Sequence, residues 1–145
     1  MMPRNNPWES YRRVATQTAT PGQLVLMLYD GAISFLEKAL VGFNETDPRN
    51  LNQTVNNNII RAQAIIHEMN VSLNMQDGGE TAANFRRLYN YFYRRLREAN
   101  HAKRREPIEE ILNHLRRLRD SWAEMLRHGA ETRNAEAASV EAVAA

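Results

Sequence analysis

The chain contains no cysteine, which excludes a disulfide framework and any thiolate-ligated metal site and suits a reducing compartment. Glycine and proline are scarce, at six and five of 145 residues. Valine and isoleucine never gather into alternating runs, so strands are not expected. No apolar run approaches the ~18 residues of a membrane span. The longest, Leu24 to Tyr29, is core-sized. The opening residues, MMPRNNPWESYRR, lack the apolar stretch of a secretory signal. A cytoplasmic protein without membrane insertion is therefore expected.

What is present fits one domain with a real core: 43% of residues are apolar and 25% charged. Net charge is only +2, but its distribution is uneven. Between Arg86 and Arg119 stand eleven Lys and Arg against four Glu. Such an excess attracts nucleic acid, an acidic partner or an anionic membrane, or simply forms a solvated face.

Start signals divide the chain. Thr20-Pro21-Gly22-Gln23 reads as an N-cap threonine, proline at the first helical position and a glutamine reaching back. Asp47-Pro48 repeats the device, Glu106-Pro107 echoes it, and Asp77-Gly78-Gly79 supplies a turn. Helices are predicted at 21–43, 48–75, 80–102 and 107–128. Short connections make successive helices antiparallel.

Helical periodicity gives each helix a core face. The second offers Leu51, Val55, Ile59, Ala62, Ile66, Met69 and Leu73, the third Phe85, Leu88, Tyr89, Phe92, Tyr93, Leu96 and Ala99. The fourth offers Ile108, Ile111, Leu112, Leu115, Leu118, Trp122, Met125 and Leu126, with Arg119 intruding as an ion-pair partner or a snorkelling head. The first helix is apolar over an arc of roughly 200°, twice the usual width. Either neighbours cover it on two sides, or part of it, including Leu26 and Ile33, awaits a partner or a second copy. The expected architecture is an all-α, antiparallel four-helix bundle over 21–128. Before it, residues 1–20 hold a short helical segment with Trp8, Tyr11 and Val14 on one face. After it, the alanine-rich tail 129–145 either frays or weakly extends the last helix.

Chemistry is hard to find. The four histidines, 67, 101, 114 and 128, form neither the paired Glu-x-x-His sets of a di-iron bundle nor a His-Glu-x-x-His motif. No strand precedes a glycine-rich loop. Asp30-Gly31 is read as a polar position beside a close helix approach. The chain is not expected to be an enzyme or to need a cofactor or metal. Arg86, Arg87, Arg94 and Arg97 share a face on the third helix, but the aromatics lie opposite, where they build core rather than stack on bases. Nucleic acid is therefore not the expected partner.

The informative anomaly lies on the second helix, where Ile60, Ala64 and Val71 line the side away from the core. They are isolated exposed residues, positions under a terminal tail, or a shallow apolar groove for a partner helix. Tyr91, outside the third helix's core arc, extends such a surface.

Several stretches resemble one known family. Thr18-Ala19-Thr20-Pro21-Gly22-Gln23-Leu24, then Met27-Leu28-Tyr29-Asp30-Gly31-Ala32-Ile33, is similar to the opening of the FliS family, the flagellar secretion chaperones for flagellin. So are Gly78 to Phe85, Leu88 to Asn100, Ile108 to Trp122, and the upstream Tyr11-Arg12-Arg13-Val14. Thr20 stands where the family often has serine and Asn90 where it often has aspartate. The resemblance implies a cytoplasmic helical chaperone without enzymatic activity. Such a chaperone binds the disordered C-terminal segment of flagellin, prevents early polymerisation and presents it to the flagellar type III export apparatus. It also implies that Tyr11 and Val14 cover the binding surface until cargo displaces them. Which flagellin is bound, and the oligomeric state, are left open by the sequence.

Overall fold

A computed structural model describes residues 20–73 and 75–144. Four helices follow one another: α1 (Pro21–Gly42), α2 (Pro48–Val71), α3 (Met75–Ala102) and α4 (Glu106–Ala144). The N-terminal segment with Tyr11 and Val14 lies outside the described residues.

The first two predicted starts hold. The Gln23 backbone N–H donates to Thr20 Oγ1 and the Thr20 N–H to Gln23 Oε1, both at 3.2 Å, closing the capping box. Asp47 accepts from the Arg49 N–H at 3.0 Å. Thr20→Ala is expected to cost about 1 kcal/mol of stability, read from the urea midpoint. At the next start, helical hydrogen bonding begins at Met75, but Gly79 breaks the path with φ +53° and ψ −132°. Glycine adopts this backbone without a Cβ penalty. Between α3 and α4, Lys103 takes φ +51°, and the Arg104 N–H returns to the Ala99 carbonyl at 3.0 Å. That six-to-one bond is a Schellman-type cap, built here on lysine instead of glycine.

Helices adjacent in sequence pack on one another, and α4 closes the square against α1. Cross-helix contacts run in opposite order along every pair, as antiparallel packing requires. Asn100 meets Asn56 while Asn90 meets Asn70, and Arg116 meets Glu37 while Trp122 meets Gly22. The core centres on Leu36, Val55, Ile59, Ile66, Phe92, Leu96, Ile108, Ile111 and Leu115, all fully buried. A hydrogen bond of 2.6 Å between the Tyr29 and Tyr89 hydroxyls ties α1 to α3 across the core.

Details of α1 answer the width of its apolar arc. Gly31 lets Ile65 of α2 approach so closely that a Cβ there would stand 3.0 Å from Ile65 Cδ1. On the other flank, the Trp122 indole N–H donates to the Gly22 carbonyl at 2.7 Å. Two neighbours therefore cover most of the arc. Arg119 resolves as an ion pair, its Nε 2.8 Å from Asp30 Oδ1; solvent screens a pair this exposed, so it positions the two helices more than it stabilises them.

Three expectations need correction. Tyr93 and Met125, read as core, are 41% and 53% exposed. Tyr93 lies at the α2 edge of its stripe, and Met125 sits level with the start of α1, where the bundle ends. Ile65, not assigned to the seam of α2, is buried over Gly31. As for the tail, the last helix continues through Ala144, and residues 131–140 are all exposed. It extends the helix without burying it.

Candidate partner-binding surface

α2 spends its apolar residues unevenly. Val55, Ile59, Ala62, Ile65, Ile66 and Met69 are buried. Positions 60, 64 and 71 fall on the opposite side at 3.6 residues per turn. Ile60 is 51% and Val71 61% exposed, with Ala64 half-buried between them. Each exposed aliphatic forgoes most of the roughly 1.5–3 kcal/mol that full burial contributes.

The other expected contact residues lie on different edges. The Tyr91 hydroxyl bonds Glu110 of α4, and the Arg94 guanidinium stands 5.6 Å over its ring. Arg95 joins the same carboxylate at 3.0 Å and Glu98 at 2.8 Å. The Tyr91 hydroxyl, together with Arg95, holds the Glu110 carboxyl below the usual carboxylate range. Tyr91 thus sits at the α3–α4 edge. Leu26 and Ile33, both half-buried, flank Asp30 on the α1 side that faces α4. The fold therefore groups Ile60, Ala64 and Val71 and leaves Tyr91, Leu26 and Ile33 on neighbouring edges.

Beside the apolar line, a cleft of about 310 Å³ opens between α2 and α3. Ile66 and Tyr89 lie buried at its base, and His67, Tyr93, Arg94 and Arg97 are exposed along its rim. Amide pairs brace the two helices: Asn70 donates to Asn90 at 2.8 Å, and Asn100 to Asn56 at 2.8 Å. Gln63, buried, donates to the Tyr93 carbonyl at 3.1 Å. Asn70 Oδ1 is buried without a hydrogen-bond partner among the described residues. The sequence grouped Arg94 and Arg97 on one face, but it placed Tyr93 in the core because that residue carries the right spacing for it. The scarcity of acid on α2, which has Glu68 alone, was a readable signal.

Among the described residues, no cluster of His, Asp or Glu is placed to hold a metal ion. No helix among them is long and apolar enough to cross a membrane. An exposed apolar line beside a basic cleft can bind a polypeptide through its side chains.

The family model described as flagellar protein FliS matches residues 4–129. This chain belongs to the FliS family. The flagellar secretion chaperone FliS of Bacillus subtilis is 35% identical over 130 residues, covering 86% of this chain and 93% of its own. That of Salmonella typhimurium is 32% identical over 111 residues, covering 77% and 80%. The FliS of Campylobacter jejuni is 29% identical over 131 residues, covering 90% and 98%. The FliS family is one of flagellar secretion chaperones, which are not enzymes. The capped start of α1 and the Tyr29-Asp30-Gly31 stretch fall inside all of this matched region's span.

Proposed function

We propose that this FliS chain is a cytoplasmic chaperone that holds the C-terminal segment of flagellin, prevents its premature polymerisation and helps deliver it to the flagellar export apparatus. The observation that carries this reading is the exposed line of Ile60, Ala64 and Val71 on a helix whose opposite face is fully buried. A partner segment that folds as an amphipathic helix places its apolar side on such a line. Ordering it costs on the order of 2–5 kcal/mol. Burying several aliphatic groups at roughly 1.5–3 kcal/mol each offsets that cost. A segment long enough to pass round the bundle also meets Tyr91 on one edge and Leu26 and Ile33 on another.

The cover is proposed to be the chain's own N-terminal segment, through Tyr11 and Val14. α1 begins at the bundle end where α2 finishes, close to Val71, since Gly31 faces Ile65 and Gly42 faces Thr54. Six residues from Val14 to Thr20 span up to about 20 Å, enough to reach that end of the line.

The test is a titration with a peptide from the C-terminal segment of the organism's own flagellin, by calorimetry with parallel circular dichroism. Saturable binding near one-to-one, with helical signal above the sum of the parts, is the expected result. Ile60→Asp should weaken this binding by about ten-fold or more, since it puts a charge into the contact. Its melting temperature should stay close to wild type. Lost stability with affinity retained would place Ile60 in the core and remove it from the site.

A further inference from the structure

The apolar line does not account for the charge beside it. The α2–α3 face carries Arg94, Arg97 and His67 around the central cleft, and Arg49, His101 and Lys103 around a second, more open cleft nearer the α2 start. Among the described residues, neither cleft is lined by a carboxylate. Glu68, the only acid within α2, falls in register with Arg61 and Ile65, which meet Phe35 and Gly31 of α1. Glu98 is engaged by Arg95 on the α4 side. Arg97 has no ion pair among the described residues, and Arg94 has only the Tyr91 ring. Elsewhere on the bundle, Arg95, Arg116, Arg119 and Arg127 each meet a carboxylate. Arg94 and Arg97 leave this face cationic, braced by neutral asparagine pairs.

Resting on the reading that this surface holds cargo, we infer that the α2–α3 groove docks an acidic amphipathic helix of the partner, its carboxylates meeting Arg94 and Arg97 and its apolar side resting on Ile60 and Tyr93. The two clefts lie in line along α2, and from Arg49 to Asn70 they span about 30 Å at 1.5 Å per residue, the length of a helix of about 20 residues. Charge complementarity selects the partner: a cationic rim attracts acid and repels basic helices. The exposed aliphatic groups of Ile60 and Val71 favour a polypeptide over nucleic acid, whose phosphates and sugars leave such groups without an apolar partner.

The experiment uses the full chain and a synthetic peptide of about 20 residues with leucines on one helical face and glutamates on the other. A counterpart carries lysines in place of the glutamates. The glutamate peptide is expected to bind and to shift the NMR resonances of the Ile60 methyls and the Arg94 and Arg97 Nε–H groups. Its affinity should fall by about ten-fold as NaCl rises from about 50 to about 300 mM. The double substitution Arg94→Glu/Arg97→Glu should abolish binding while circular dichroism stays unchanged. Arg117→Glu/Arg133→Glu, an equal charge change on exposed parts of α4, should leave it intact. Equal binding of the lysine peptide, no shift at the groove, or a short DNA duplex bound more tightly through the same arginines would overturn the inference. The flagellin peptide separates the two readings. If it fails to bind wild type while the glutamate peptide seats, flagellin is not the cargo but the groove stands. If it binds and Arg94→Glu/Arg97→Glu changes its affinity by less than about two-fold, the groove assignment falls and the cargo reading survives.

Discussion

Phe92→Ala is expected to lower the unfolding free energy by about 3–5 kcal/mol, the largest loss foreseen for a single substitution in this bundle. Phe92 is the largest of the fully buried side chains. Its ring lies 5.5 Å from the His114 ring, which stacks on it, and 6.2 and 6.4 Å from Tyr89 and Tyr91. Truncation removes the transfer free energy of the ring and leaves a cavity that three surrounding helices cannot fully close. Against a total of about 5–15 kcal/mol for a domain of this size, such a loss brings the protein near unfolding at ordinary temperature. Urea denaturation checks it, with the midpoint falling and the slope held. The neighbouring Tyr93→Ala, on an exposed side chain, should cost less than about 1 kcal/mol. Equal costs at both positions would show that the two rings are not divided between core and surface.

The second large effect belongs to the buried hydroxyl pair. Tyr29 and Tyr89 are 3% and 4% exposed, and their oxygens are 2.6 Å apart. Tyr29→Phe leaves the Tyr89 hydroxyl buried without this partner, at a cost of about 1–3 kcal/mol, and Tyr89→Phe does the same to Tyr29. The double substitution should cost clearly less than the two singles together, because it removes both polar groups at once. A double-mutant cycle in urea measures this coupling; strict additivity would mean that each hydroxyl finds another partner. Burial also pushes both phenols above the usual tyrosine value of 10.0. The folded state therefore keeps protons that the unfolded chain releases above that value. Stability from this pair is complete below pH 10 and falls as pH rises beyond it. Phenolate absorbance should accordingly show these two tyrosines ionising above the usual tyrosine range in the folded protein.

How much of this was legible follows from the kind of signal each feature leaves. Thr20-Pro21 and Asp47-Pro48 announce helix starts through local chemistry, so both caps fell where they were expected. Phe92, Leu96, Ile111 and Leu115 were readable as core because one face repeats at helical spacing over many turns. Tyr93 obeys the same spacing and is exposed, since the edge of an apolar arc is buried only if a neighbouring helix overhangs it. Here the neighbour is α2, and it presents Gln63, Asn70 and His67 at that edge. The outer line of Ile60 and Val71 was visible for the converse reason, as apolar residues on the wrong side of a clear seam. Tyr91 was grouped with them by hydrophobicity, and only its bond to Glu110 shows that it belongs to the α3–α4 edge.

The sequence by itself therefore determined the four helices, the capped starts of the first two, most of the core, and membership of a chaperone family through motifs in the right order. These are properties of segments, carried by propensity, capping and periodicity within a few turns. The tertiary structure alone decided what lies between segments. It paired Arg119 with Asp30, joined the hydroxyls of Tyr29 and Tyr89, and set Trp122 against Gly22. It also left Arg94 and Arg97 facing a groove without a carboxylate. The physical reason is that pairing depends on the rotation and offset of one helix against another. Those are fixed by the packing of all four together, and no single helix encodes them.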